Sequence, residues 1–301
     1  MIRRSKPFWL AVAVLLGGAP GRSFAETDPH VFIDNGEVRL GIDLSAGGSI
    51  FHFGESDGGA NLLNHYDKGR FIQQSYYGDE DGSRWAGRPW RWNPVQGGGY
   101  RDEPAEVLAF DVEETRLRVR SIPRHWATGE PVDSTRMVSM IRLDGPVAHI
   151  RFAFQYNGDT AHASRHQELP AVFVDADYPY LVRYDGDAPW TGGELSRDVP
   201  GWPNERREAT EHWAAYVDEE DFGIGVFFPG TDTMTTYRFE GNGTAGPTGS
   251  ACSYFSPIRS FAVTPGLRFQ YDVYLTIGSV DEIRARFHAL AEEIGSREEA
   301  R

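Results

Sequence analysis

The chain has 301 residues, with 44 Asp and Glu against 30 Lys and Arg, a formal net charge of −14 at pH 7. Such an acidic chain repels the phosphates of nucleic acid and of anionic lipid, so neither is an expected partner. Its single cysteine, Cys252, has no partner within the chain, which excludes an intrachain disulfide framework and leaves stability to the hydrophobic core.

The chain opens on an export pattern. Arg3, Arg4 and Lys6 precede an apolar run from Phe8 to Ala19, and Ser23 and Ala25 supply small residues for cleavage. The run is too short to cross a bilayer, so residues 1–25 read as a signal peptide cleaved after Ala25. The expected division is therefore a signal peptide at 1–25 and one β-sandwich domain at 26–301, secreted or periplasmic. Removing the first 25 residues takes away four basic residues and no acidic one, which leaves 26 against 44, or −18. No later segment is long and apolar enough to form a membrane span.

Period-two alternation then recurs along the chain. Val38, Leu40, Ile42 and Leu44 share one face. Ala148, Ile150, Phe152, Phe154 and Tyr156 alternate with polar residues, as do Leu267, Phe269, Tyr271, Val273, Leu275 and Ile277. Further strands are expected at 106–121, 134–143, 168–175, 211–218 and 222–229, with turn residues such as Asn157-Gly158-Asp159 between them. One helix is expected at 280–295, where Ile283, Phe287, Leu290 and Ile294 form a stripe and Ser279 with Glu282 forms a capping box. The pattern is all-β with one C-terminal helix and no βαβ rhythm.

The segment from Asp67 to Glu103 breaks this rhythm. It holds three Trp, three Tyr, three Gln and five Arg, with scarcely an aliphatic residue. Gly97-Gly98-Gly99 precedes no helix and no Lys-Ser/Thr pair, so it does not read as a phosphate cradle. Sugars offer weakly apolar C–H faces and rims of hydroxyls, which flat aromatic rings and amide or guanidinium groups satisfy together. Arg70, Gln73, Gln74, Tyr77, Trp92, Asn93 and Gln96 are accordingly the expected sugar-binding residues. The competing reading is a loop cap on the sandwich, with Arg and Gln tying down carbonyls.

Two carboxylates stand before apolar strands: Glu168 in SRHQELPAVFV and Glu211 in TEHWAAYVDE. Apolar backing raises a carboxyl pKa towards acid or base duty, so both are candidate catalytic groups, with His166 as a candidate proton carrier. The bland alternative for each is a structural hydrogen-bonding role, and Asp175 and Asp177 read equally well as turn formers. Cys252 lies in a Gly/Ser-rich turn without a base beside it and reads as a small structural residue. No metal-binding or cofactor motif is present, so none is expected.

GIDLSAGGSIFHFGESDGGANLLN resembles the opening strands of the galactose mutarotase-like superfamily, where a Gly-Gly-x-Ile strand leads to Gly-x-Asn-Leu. WNPVQGGGY occupies the place of the Asn-containing strand and His-Gly-Gly loop of aldose 1-epimerases, with Gln96 where those enzymes carry histidine. RHQELP falls where they place a second histidine, here His166. The resemblance implies a large antiparallel β-supersandwich with a sugar groove on its concave face. It implies a carbohydrate substrate more firmly than one reaction. The leading expectation is an exported glycoside hydrolase acting on a poly- or oligosaccharide, with Glu168 and Glu211 as the carboxylate pair. A polysaccharide lyase using Tyr77, His166 and Arg70, an aldose-epimerase-like enzyme and a non-catalytic glycan-binding module are the alternatives.

Overall fold

The computed structural model describes residues 28–299, so the expected signal peptide lies outside the described residues. Strands β1 (His30–Asp34), β2 (Val38–Asp43) and β3 (Ser49–Glu55) form a three-stranded antiparallel sheet. Four short strands follow: β4 (Gln73–Ser75), β5 (Glu80–Trp85), β6 (Arg88–Arg91) and β7 (Pro94–Val95), with β5 and β6 paired as a separate hairpin. The single strand expected over 106–121 is instead a hairpin of β8 (Glu106–Val112) and β9 (Arg116–Ile122). Its break falls at exposed Glu113 and Glu114, where the Glu113 N–H bonds to the Arg116 carbonyl at 2.8 Å.

The chain continues through β10 (Arg124–His125), β11 (Thr135–Asp144), β12 (Val147–Tyr156), β13 (His162–Asp175), β14 (Tyr180–Arg183) and β15 (Ser196–Asp198). It ends with β16 (Glu205–Glu208), β17 (Trp213–Val217), β18 (Phe222–Phe227), β19 (Thr233–Phe239), β20 (Cys252–Val263), β21 (Arg268–Ser279) and α1 (Val280–Glu299). Two large antiparallel sheets result. One has seven strands in the order β10-β7-β4-β13-β20-β19-β16, and the other nine in the order β15-β14-β17-β18-β21-β12-β11-β9-β8.

The core lies between these sheets because alternation points one face of every long strand inward. Ile150 and Phe152 of β12 and Val273, Leu275 and Ile277 of β21 meet Val172 and Val174 of β13 and Phe255 of β20 in one buried cluster. Each such side chain, fully buried, contributes about 1.5–3 kcal/mol. The sequence expectation of an all-β sandwich with one helix agrees with this architecture.

Helix α1 covers the outer face of the nine-stranded sheet. Ile283 and Phe287 are buried against Trp213, Ala215, Val217 and Phe227, with Leu290 and Ile294 beside them. Its start is the expected capping box: Glu282 accepts from the Ser279 N–H at 2.9 Å, and the Ser279 hydroxyl accepts from the Glu282 N–H at 3.4 Å. The helix approaches so closely at Gly225 of β18 that a Cβ there would lie 2.4 Å from Ile283 Cγ2. The helix therefore needs glycine at this crossing.

Candidate active site

The outer face of the seven-stranded sheet carries a cleft of about 1000 Å³, large enough for several sugar rings. Its floor is built by an irregularity in β13. His166 and Glu168, two residues apart, share the cleft face, while Gln167 points behind. Ala171 and Phe173 also line the cleft, although an odd step separates Glu168 from Ala171 and a regular strand would place them on opposite faces. Register shifts between Glu168 and Val172 against β20, and between Glu168 and Ala171 against β4, reconcile the two. The irregularity re-aims Glu168 into the cleft while Val172 and Val174 stay in the core.

Glu168 is half-buried and accepts a 2.7 Å hydrogen bond from the Tyr254 hydroxyl. Burial pushes its carboxyl above the ordinary carboxylate range, against a smaller opposing effect of the Tyr254, Tyr77 and Ser75 hydroxyls. Burial, reinforced by the Glu168 charge, holds Tyr77 and Tyr254 well above the ordinary phenol value, so both remain hydrogen-bond donors. Tyr237 stacks on Tyr254 with ring centroids 4.4 Å apart. Behind the floor, the Gln167 amide clamps the Tyr77 backbone, accepting from its N–H at 2.7 Å and donating to its carbonyl at 3.0 Å.

Aromatic side chains form both rims. On one side Trp85 lies between Trp90 and Trp126, at centroid distances of 4.8 and 5.9 Å. On the other, Trp202 is 61 % exposed and packs its edge on Tyr237 at 4.9 Å and against Phe239 at 5.0 Å. An exposed tryptophan held at a cleft rim presents a flat face on which a sugar ring can rest.

The structure thus places Glu168, His166, Arg70, Tyr77 and Asn93 along one cleft. His166 is exposed at its mouth. Asn93 is buried and faces inward structure as well as the cleft, donating to the Tyr76 carbonyl at 2.9 Å. Arg70 lines the cleft with its Nη1 committed to the Ser250 carbonyl at 2.9 Å and Asn64 Oδ1 at 3.3 Å.

Five expected site residues lie elsewhere. Gln73 bridges loops, accepting from the Gly97 N–H at 2.6 Å and donating to the Lys68 carbonyl at 3.1 Å. Gln74 donates across to the Val138 carbonyl of β11 at 3.2 Å, and Gln96 donates to the Gly47 carbonyl and the Ser139 hydroxyl. All three amides are buried and join the short strands to neighbouring loops and to the other sheet, because backbone groups there need partners that an irregular ladder cannot supply. Trp92 stacks on His162 at 4.5 Å and meets Tyr156 at 5.4 Å, so it packs the sandwich end.

Glu211 is the fifth, and its expected catalytic role is corrected. It has no exposed surface, and its carboxylate accepts from Arg284 at 2.7 and 3.0 Å, from the Trp213 indole at 2.9 Å and from the Trp190 N–H at 2.8 Å. Burial alone would raise its pKa, but these donors outweigh it and hold the carboxyl below its ordinary value. Glu211 anchors α1 to the nine-stranded sheet, away from the cleft.

Sequence reasoning did not single out Tyr254, Tyr237, Trp126 or Trp202. Tyr254 directly precedes Phe255, which enters the core, and Tyr237 directly follows buried Thr236; that alternation was the available signal. Nothing in the local sequence marks Trp126 or Trp202, which loops bring to the rims.

No protein-family model matches the sequence, and no curated protein matches it. Solved structures do match. A galactose mutarotase-like protein from Lactobacillus casei aligns with a TM-score of 0.51 over 82 % of this chain and 99 % of its own, at 11 % identity. The chain has the galactose mutarotase-like fold. A galactose mutarotase related enzyme from Lactobacillus acidophilus aligns at a TM-score of 0.50 over 83 % of this chain and 97 % of its own, at 11 % identity. The Slr1438 protein from Synechocystis aligns at 0.52 over 87 % and 100 %, at 15 % identity. In this galactose mutarotase-like sandwich the aromatic cleft occupies the outer face of the seven-stranded sheet. At these identities the likeness carries the architecture and leaves the chemistry to the cleft residues.

Proposed function

We propose that the protein is a carbohydrate-active enzyme acting on an oligo- or polysaccharide, with Glu168 as the group that exchanges a proton with the sugar. The observation that carries this reading is Glu168 itself. It is a carboxyl raised by burial, hydrogen-bonded to Tyr254, and set in the floor of a cleft with tryptophans on both rims. The volume of the cleft, about 1000 Å³, and the exposed Trp202 support a chain of sugars over a single ring.

Glycoside hydrolysis is the first reaction we assign. Glu168, carrying its proton, would deliver it to the glycosidic oxygen as the C–O bond breaks. A second carboxylate would then activate the water that adds to the anomeric carbon. With Glu211 under the helix, the remaining carboxylate lining the cleft is Asp67, whose carboxyl is also raised, chiefly by burial. Epimerisation is the second reading. It is favoured by His166 and Glu168 on one face of β13 and by the likeness to a galactose mutarotase related enzyme. We also propose export, on the pattern of residues 1–25; N-terminal sequencing of protein recovered outside the cytoplasm tests it.

The decisive experiment is Glu168→Gln, which keeps shape and most hydrogen bonds but removes the titrating proton. Turnover should fall by about 10²–10⁴ with the fold intact. New reducing ends would mark hydrolysis, and exchange between anomers without chain cleavage would mark epimerisation. Full turnover by Glu168→Gln would remove this residue from the mechanism.

A further inference from the structure

We infer that the saccharide held in this cleft is anionic, carrying carboxylate or sulfate groups, and that Arg91 recognises that charge. The inference rests on the carbohydrate reading above and adds the substrate class. Arg70, Arg91 and Arg165 line the cleft, together with two carboxylates, Asp67 and Glu168. Arg70 donates through Nη1 to Ser250 and Asn64, with its Nε 3.7 Å from Asp67, and Arg165 pairs through Nη2 with Asp79 at 2.8 Å, so each already has a carboxylate beside it.

Arg91 differs. It is half-buried at the end of β6, where Glu80 of β5 is its register partner; its guanidinium lies 5.8 Å from the Trp90 ring centroid and makes no hydrogen bond or ion pair among the described residues. It lines the same cleft as Tyr77, Tyr254 and Glu168, the residues of the floor. Five fixed N–H donors on a partly desolvated cation suit a planar or tetrahedral oxyanion, and paired donors of this kind give both affinity and orientation. A neutral sugar would leave that charge unmatched, whereas a uronate carboxylate or a sulfate ester would pair with it.

A second group of arginines provides a control. Arg116, Arg118, Arg142 and Arg151 line a separate hollow of about 330 Å³ on the nine-stranded sheet, where an anionic chain could adsorb without reaching the cleft.

The test is calorimetric binding by the full chain to three oligosaccharides of equal length: an oligogalacturonate, a sulfated oligogalactan and an uncharged cello-oligosaccharide. At least one anionic oligomer should bind ten-fold or more tighter than the uncharged one, and Arg91→Ala should weaken that binding by about 10–100-fold. Arg91→Lys should recover part of the loss, because the charge returns without the fork. The double variant Arg116→Ala, Arg118→Ala should bind like the parent. Thermal melts of each variant confirm that the comparison is between folded proteins.

Preference for the oligogalacturonate assigns a carboxylate, and preference for the sulfated oligomer a sulfate; either supports the proposal. Equal or tighter binding of the uncharged oligomer, an unaffected Arg91→Ala, or a loss that follows Arg116 and Arg118 overturns it. So does failure of every oligomer to bind. Failure of the enzymatic reading is distinguishable: the anionic oligomer would then bind through Arg91 without being turned over. Conversely, turnover of uncharged chains that needs Glu168 and ignores Arg91 would retain the enzyme and discard the anionic substrate.

Discussion

Glu168 and Glu211 have similar sequence settings, a carboxylate within two residues of a histidine and leading into an apolar run, yet they occupy opposite sides of the sandwich. Glu168 opens onto the cleft with hydroxyl partners, and burial raises its carboxyl. Glu211 lies under α1 with a guanidinium, an indole and a backbone N–H, and these partners lower it. Burial of a carboxylate is therefore not by itself a sign of chemistry. What matters is whether its partners carry a compensating charge and whether it faces a space that substrate can enter.

This contrast breaks most readily at Glu211. Glu211→Ala would leave Arg284 of α1 without its carboxylate against the nine-stranded sheet, and stability should fall by about 3–5 kcal/mol, read from denaturant midpoints. Any turnover by the folded fraction should survive. Loss of turnover at unchanged stability would return Glu211 to the mechanism.

Overpacking of the same region should cost less. Gly225→Ala sets a methyl against Ile283 and Phe287, and should destabilise by about 1–3 kcal/mol as α1 is pushed off the sheet. An unchanged melting temperature would show that the helix is not seated tightly there.

The pH dependence sharpens the comparison through its sign. Glu168 has a folded pKa above its unfolded value, near 4.5, so its ionisation penalises the native state. Its contribution to stability falls as pH rises from that unfolded value through the folded pKa. Glu211 has a folded pKa below its unfolded value of the same size, so its contribution is present above it and lost as pH falls through the folded pKa. Stability of Glu168→Gln relative to the parent should therefore rise with pH, and that of Glu211→Gln should drop. Parallel trends in chemical denaturation at pH 4 and pH 8 would contradict the assignment of opposite environments.

The smallest effect on stability is expected at Trp202. Trp202→Ala at the exposed rim should change stability by no more than about 0.5 kcal/mol. It should weaken binding of a long glycan more than that of a single sugar. Equal weakening for both would place Trp202 outside the extended binding surface.

Much of the fold was legible because it depends on local alternation. β12 and β21 occur within a residue or two of their expected bounds, and α1 starts at its expected cap. The short strands β4 to β7 were not legible, since two to six residues without aliphatic alternation carry no period. Their polar-aromatic composition did announce an unusual surface. It did not separate the residues that line the cleft, Tyr77, Trp90 and Arg91, from the amides of Gln73, Gln74 and Gln96 that hold the loops in place. Both jobs use the same hydrogen-bonding groups, and only the identity of the partner distinguishes them.

By itself the sequence determined an acidic, cysteine-poor, all-β chain with an amphipathic C-terminal helix, because charge, composition and period are properties of neighbouring residues. The tertiary structure decided which carboxylate faces open space. The β13 irregularity turns Glu168 to the same face as Ala171 and Phe173, and Tyr254 reaches it from 86 residues away. Arg284, 73 residues beyond Glu211, decides that the second carboxylate is an anchor. Hydrogen bonds of that sequence separation form only once both sheets and the helix are in place, so no local pattern could assign the two roles.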